Sequence, residues 1–303
     1  MSYHIVNIDS PDCFLSCRDG QLTCRTAAGE KKLPLEDVAS ILITSWSACV
    51  HSSLLVQAAR HGVALILCEA FKPVSLMLPA MRSTDTLLSR AQLRLSKRLR
   101  DALWQKTVDA KCANQCQVAG RMAPGHPGLA ALEAAAAGSH PAREAATARA
   151  FWRVMAGALG QQSFTRTRGG GGLNDLLNYG YAVLLSCVLQ KLYALGMDPT
   201  WGIAHAPRER AAPLAYDLME PFRPCVDWRV YQWVREHPGE LAVTAEYRRW
   251  ITGLTTQRVP YAPRAMQAQL VIEAVLRSFR RALMEASAPA YRPWTLKGTK
   301  WAG

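Results

Sequence analysis

At the run Pro79-Ala80-Met81-Arg82-Ser83-Thr84-Asp85 the hydrophobic pattern changes period, and that change dictates the fold class. Upstream, apolar residues come in short runs at Tyr3–Ile8, Cys13–Cys17, Gln21–Arg25, Ser40–Thr44 and Val63–Cys68, separated by glycines, aspartates and charged pairs. Runs of that length read as strands, and Asp19-Gly20 between two of them is a hairpin turn. One segment differs: Leu54, Leu55, Ala58 and Ala59 recur at helical spacing within Ser52–His61, with Ser52 or Ser53 available as a cap. Downstream, a helical period predicts helices over Thr86–Ala119, Gly128–Ala137, Ala142–Gly157, Leu173–Leu195, Leu214–Glu236, Val243–Leu254 and Pro263–Glu285. The fold class is therefore α+β: a small β-rich domain over 1–80, then a larger all-α domain over 81–303, with the boundary near residues 79–85.

A chain of 303 residues, half of them apolar, suffices for one large domain or two modest ones. Its longest apolar runs, around Ala182–Leu189 and Val63–Cys68, fall short of the roughly 18–20 residues that span a bilayer. No basic segment followed by an apolar stretch opens the chain, so a cytoplasmic location is expected. The nine cysteines include no C-x-x-C pair, which argues for reduced, mostly buried thiols and against a zinc site. A net charge of +13, with arginine outnumbering lysine, points to a polyanionic partner, and nucleic acid leads.

Three basic features could serve that partner. Arg90, Arg94, Lys97 and Arg98 fall on one face of the predicted Thr86–Ala119 helix, opposite Leu87, Leu88, Leu95 and Leu99; the plain alternative is a solvated charged face. Arg166 and Arg168 precede four consecutive glycines, a loop that lacks the Lys-Ser/Thr and the leading strand of a nucleotide-binding P-loop. The tail beyond Pro289, with Lys297, Lys300 and Trp301, lacks apolar periodicity and is expected to be a flexible basic arm.

Chemistry concentrates in Met197–Asp227, which reads M-D-P-T-W-G-I-A-H-A-P-R-E-R-A-A-P-L-A-Y-D-L-M-E-P-F-R-P-C-V-D. Asp217 and Glu220 lie three apart on one helical face, shortly after His205. Carboxylates with one imidazole suit Mg²⁺ or Mn²⁺ and leave positions open for water and a phosphate oxygen. Either acid could be the ligand and the other its support. Gly202 and Pro207 bracket His205, Pro221 follows Glu220, and Arg223 stands three residues on, where it can pair with an acid or a phosphate. A further acid must come from elsewhere: Glu144, amid small residues in Arg143–Trp152, or Glu133 in the alanine-rich stretch.

These segments resemble the CRISPR adaptation integrases, metal-dependent nucleases that insert new spacers into repeat arrays. The carriers are R-E-A-A-T-A-R-A-F-W (Arg143–Trp152), L-N-Y-G-Y at the end of Leu173–Tyr181, G-M-D-P-T-W-G-I-A-H (Gly196–His205) and D-L-M-E-P-F-R-P-C-V-D (Asp217–Asp227). Their order and spacing agree with the family, D-L-M-E-P-F-R-P is closest to members from Cas9-type systems, and the likeness covers nearly the whole chain. The resemblance implies metal ligation by Glu144, His205 and Glu220, with Asp217 tuning or sharing the ion, Arg223 pairing nearby and Tyr179 stacking or hydrogen-bonding close by. Many members have a histidine where Ala204 stands and glycine where Ala145 stands; neither difference removes a ligand.

The implied activity is phosphoryl transfer: a spacer 3′-hydroxyl attacks a repeat phosphodiester with the help of Mg²⁺ or Mn²⁺. The implied partners are double-stranded DNA, a second copy of the chain, a small ferredoxin-like adaptation protein and other adaptation-complex proteins, with the β-rich domain as the dimerisation module. Two other readings share the features: a metal-dependent nuclease of branched or single-stranded nucleic acid, and a non-catalytic DNA-binding subunit.

Overall fold

The computed structural model describes residues 4–69, 72–77, 86–139, 142–161, 163–167, 169–205, 212–261 and 263–296. The predicted boundary at 79–85 lies outside them, as do Lys297, Lys300 and Trp301.

The strand signals form two sheets. Strands β1 (His4–Ile8), β5 (Val38–Ile43), β7 (Ala64–Glu69) and β8 (Lys72–Met77) build one sheet in the order β1-β5-β7-β8, parallel except for the last pair. Strands β2 (Phe14–Arg18), β3 (Gln21–Thr26) and β4 (Gly29–Pro34) form an antiparallel meander, with the short β6 (Cys49–Val50) parallel to β2. Asp19 and Gly20, at φ of 51° and 72°, join β2 to β3 in the positive-φ turn their sequence favours. Helix α1 (Ser52–Arg60) crosses from β5 to β7; its cap is not a serine but His51, whose Nδ1 accepts the Ser53 N–H at 3.1 Å. The Ser53 hydroxyl instead accepts from Cys17 N at 3.1 Å, tying the helix to β2.

Alternation along the first sheet governs how the two parts meet. Ile41, Ile43 and Leu65 face the meander and α1, while Leu42, Ile66 and Cys68 on the opposite face join the core of the helical part. The helix they meet is α6 (Leu173–Ala194), apolar nearly all round because this sheet covers one side and other helices the rest. Arg248 adds an ion pair to Asp9 at 2.6 Å, just beyond β1.

The helical part departs from expectation in three places. The predicted helix Thr86–Ala119 is two: α2 (Thr86–Leu93) and α3 (Lys97–Met122), broken where the Ser96 hydroxyl accepts from Leu99 N and starts a new helix. Helices α4 (Gly128–Ala137) and α5 (Arg143–Ala158) follow as expected, and Leu214–Glu236 resolves into α7 (Pro213–Met219), a tight turn at Glu220–Phe222 and α8 (Arg223–Glu236). Beyond α9 (Ala245–Thr252), the domain is not purely helical, because β9 (Arg258–Tyr261) and β10 (Arg264–Gln267) pair as a hairpin and α10 begins only at Ala268, running to Met284. Gly180 lets α6 and α8 touch: a Cβ there would stand 2.5 Å from Val226 Cγ1.

The tail is no flexible arm as far as Leu296. Tyr291, Trp294 and Leu296 are buried, and Trp294 stacks on Phe222 with ring centroids 5.2 Å apart. Three anchoring side chains can hold a segment that has no periodicity. Among the described residues no helix is long and apolar enough to cross a membrane.

Asn114 on α3 locks this arrangement. Its amide donates to the carbonyls of Pro221 (2.8 Å) and Trp294 (3.2 Å) and accepts from Leu296 N (2.6 Å). Asn114→Ala strands buried backbone groups on two segments, so it should lower unfolding free energy by roughly 2–4 kcal/mol in urea titrations.

Candidate active site

Two clamps hold the loop that carries His205. At its start, buried Gln92 on α2 pairs with the backbone of Asp198 in both directions, Nε2 to O and N to Oε1, each at 3.0 Å. At its end, fully buried Asp217 on α7 accepts the backbone N–H groups of Ile203 (2.6 Å), Ala204 (3.0 Å) and His205 (3.2 Å). Gly202 permits that approach, since a Cβ there would lie 2.9 Å from Asp217 Oδ2 and 2.6 Å from His205 O.

The fourth donor to Asp217 is the His205 ring, with Nδ1 2.6 Å from Oδ1. A carboxylate can only accept, so the ring carries a proton on Nδ1. The same hydrogen bond raises the imidazole pKa above its ordinary value, against the lowering effect of burial. Trp104 and Tyr216 flank the ring at centroid distances of 6.2 and 6.4 Å. Asp217 is thus committed to holding the loop and orienting His205.

Glu220, in the turn between α7 and α8, is 4% exposed and carries one cation on each oxygen. Arg223 Nε lies 2.9 Å from Oε1, and Lys111 Nζ of α3 lies 2.7 Å from Oε2. Burial alone would raise this carboxyl; Arg223 and Lys111 outweigh it and hold the pKa below the ordinary range. Lys111 also donates to Glu144 Oε1 on α5 at 2.6 Å, so one buried ammonium joins acids 76 positions apart in sequence. Glu133 is exposed on α4 and takes no part.

Behind Glu220 lies a second buried network. Arg223 sits over the ring of Tyr181, 4.7 Å from its centroid, and the Tyr181 hydroxyl donates to Asp227. Burial pushes the Asp227 carboxyl up to about 7. Arg166 closes the group from the glycine-rich loop: it donates to Asn174 (2.9 Å), Asn178 (2.8 Å) and Thr167 O (2.6 Å), and lies over Tyr181 and Trp152.

Several residues expected to touch DNA take other roles. Tyr179 is fully buried in the core against Tyr247, out of reach of a nucleobase, and Tyr181 is the tyrosine beside the site. Arg166 and Arg223 are spent on internal partners, and Arg168 lies outside the described residues. Arg90, Arg94, Lys97 and Arg98 are exposed, but Arg90 lies on α2, Arg94 in the break after it and Lys97 and Arg98 on α3, and Lys97 pairs with Asp101 at 2.6 Å. Gln92, Lys111, Tyr181 and Asp227 escape sequence reasoning, because a buried polar residue on an otherwise ordinary helix shows no sign of its partner in sequence.

For a divalent ion the donor set is suitable: one imidazole nitrogen and the oxygens of two carboxylates. Glu220 Oε2 contacts Lys111 at an angle that makes no hydrogen bond, so this buried oxygen keeps an unused lone pair. Among the described residues no three His, Cys, Asp or Glu side chains converge as a ready-made metal group; the two acids converge on the lysine.

Residues 6–239 match the profile of the family described as CRISPR associated protein Cas1. The chain belongs to this family. A CRISPR-associated endonuclease Cas1 from Neisseria meningitidis is 32% identical over 222 residues, covering 71% of either chain. In fold, this Cas1 chain is similar to a casposase bound to integration product, with TM-score 0.75, 19% identity and coverage of 99% and 96% of the two chains. It is likewise similar to a chain of a Cas6-RT-Cas1–Cas2 complex, with TM-score 0.76 and 16% identity over 98% of this chain and 36% of that one. The Cas1 fold therefore holds at identities where few side chains correspond.

The Asp227 environment gives a pH signature. The unfolded chain releases this proton near the ordinary aspartate value, whereas the native state keeps it until about pH 7. The native state then binds more protons, so the residue costs stability progressively between about pH 4 and 7. Asp227→Asn, which still accepts from Tyr181, should gain stability relative to the parent as pH rises from 4 to 8, read from urea midpoints across that range.

Proposed function

We propose that this Cas1-family chain is a divalent-metal-dependent DNA integrase that joins spacer DNA to a CRISPR repeat, with Mg²⁺ or Mn²⁺ held by Glu144, His205 and Glu220. The observation that carries the reading is the meeting of Glu144 and Glu220 at one buried cation, with His205 oriented by Asp217 one turn before Glu220. When bound, the ion supplies Lewis-acid polarisation of the scissile phosphodiester.

The chain's own residues prepare that chemistry. Asp217 keeps the proton on His205 Nδ1, so Nε2 offers a lone pair to the site. Arg223, braced on Tyr181, fixes one oxygen of Glu220 and leaves the other to be shared. The reaction exchanges one phosphodiester for another: the bond from the spacer 3′-oxygen to phosphorus forms as the bond from phosphorus to the repeat 3′-oxygen breaks, and no nucleoside triphosphate is consumed. Exposed Arg90, Arg94, Lys97 and Arg98 supply sequence-independent contacts to the DNA backbone.

The same reading makes the chain a cytoplasmic homodimer through its β-rich domain, residues 1–80, with catalysis in 81–303. Leu67, Val74 and Met77, exposed on β7 and the edge strand β8, support that interface. Likeness to a chain of a Cas1–Cas2 complex supports a small ferredoxin-like partner that spaces two such dimers.

Integration of a short duplex with free 3′ ends into a repeat-bearing plasmid, with and without that partner, tests the reading. Glu144→Ala, His205→Ala and Glu220→Ala should each reduce joining by at least about 100-fold while DNA affinity stays within a few-fold. Near-parental joining by Glu220→Ala would overturn the assignment. Charge reversal at Arg94 and Arg98 should instead weaken DNA binding and flatten its salt dependence, by about 0.9 in the log–log slope for each phosphate no longer neutralised.

A further inference from the structure

We propose that Lys111 is a placeholder cation: in the metal-free protein its ammonium occupies the position between Glu144 and Glu220, and a divalent ion binds there only by displacing it. This rests on the metal-dependent reading above and adds to it a residue whose charge opposes metal loading.

Geometry carries the inference. Lys111 is 8% exposed, and its Nζ stands 2.6 Å from Glu144 Oε1 and 2.7 Å from Glu220 Oε2. The two carboxylates therefore point at one spot, and a positive charge is already in it. A second cation in that gap would lie within a few ångströms of the first in a buried setting, where like charges repel strongly. The two cannot share both oxygens.

Of the two cations on Glu220, only one is built to move. Arg223 is fixed by its ion pair to Oε1 and by the Tyr181 ring beneath it. Lys111 hangs on a flexible four-carbon stem with no ring among the described residues beneath it, and divides its charge between two acids. Without the ammonium, Glu144 Oε1 and Glu220 Oε2 would face each other with no positive charge between them, and only the other oxygen of Glu220 would keep its cation, Arg223, which is costly in a partly buried site. Lys111 thus keeps the acids convergent until a metal replaces it.

Mn²⁺ binding to the full chain without DNA, followed by electron paramagnetic resonance of the free ion, tests the proposal. Lys111→Met, which keeps length and removes charge, should bind Mn²⁺ at least about tenfold more tightly than the parent. Its metal-free melting temperature should fall below the parent's and rise further on adding Mn²⁺. Lys111→Arg should not bind more tightly, and Glu220→Gln should bind more weakly. Unchanged or weaker Mn²⁺ binding by a folded Lys111→Met overturns the placeholder role alone, leaving metal dependence intact. Absence of Mn²⁺ binding by the parent and every variant overturns metal dependence and the placeholder role together.

Should Lys111→Met not fold, the unmodified protein gives the answer. Mass spectrometry after brief amine acylation should show Lys111 labelled more with Mn²⁺ than without it, while Lys191, paired with Glu273 at 3.1 Å, stays unchanged. Equal labelling of Lys111 in both conditions overturns the proposal.

Discussion

A carboxylate withdrawn from water has to be met by charge, and Glu220 shows how far the helical part is arranged around that need. Its two oxygens draw Arg223 from one turn further along the chain and Lys111 from α3, and Lys111 in turn reaches Glu144 on α5. Three elements that are far apart in sequence are thereby fixed at one point. The requirement extends outward, since Arg223 needs the Tyr181 face and Tyr181 needs Asp227 as acceptor.

A second requirement, that backbone donors in an irregular loop be satisfied, positions the imidazole. Residues 197–205 have no helix or strand to absorb their N–H groups, so Asp217 takes three of them and Gln92 pairs with a fourth residue's backbone. The His205 side chain inherits its orientation from that solution. Because Gln92 belongs to α2, exposed Arg90 on the same helix is tied to the loop bearing His205.

What was legible in sequence follows from the range of the interactions. Hydrophobic period placed β1, β2, β3, β5 and β7 and most helices, because burial of one face leaves a local trace. It failed at Arg94–Ser96, where apolar spacing runs on through a helix break, and at Arg264–Gln267, a strand too short to show its own period. It also read the tail as unanchored, although Tyr291, Trp294 and Leu296 are buried without any repeat. Asp217 and Glu220 were visible as a pair three apart, yet not their division of labour: one faces four donors, the other two cations.

Sequence alone sufficed for the α+β division, the basic character and, through four matched segments, the family and its candidate acids and histidine. Which groups meet was settled only when the chain packed in three dimensions. Lys111, Gln92, Tyr181 and Asp227 lie on helices whose local pattern gives no hint of a partner, and each acquires its role from a partner in another element of the fold. Electrostatic pairing in a buried site acts through space, whereas periodicity records only which face of an element is dry.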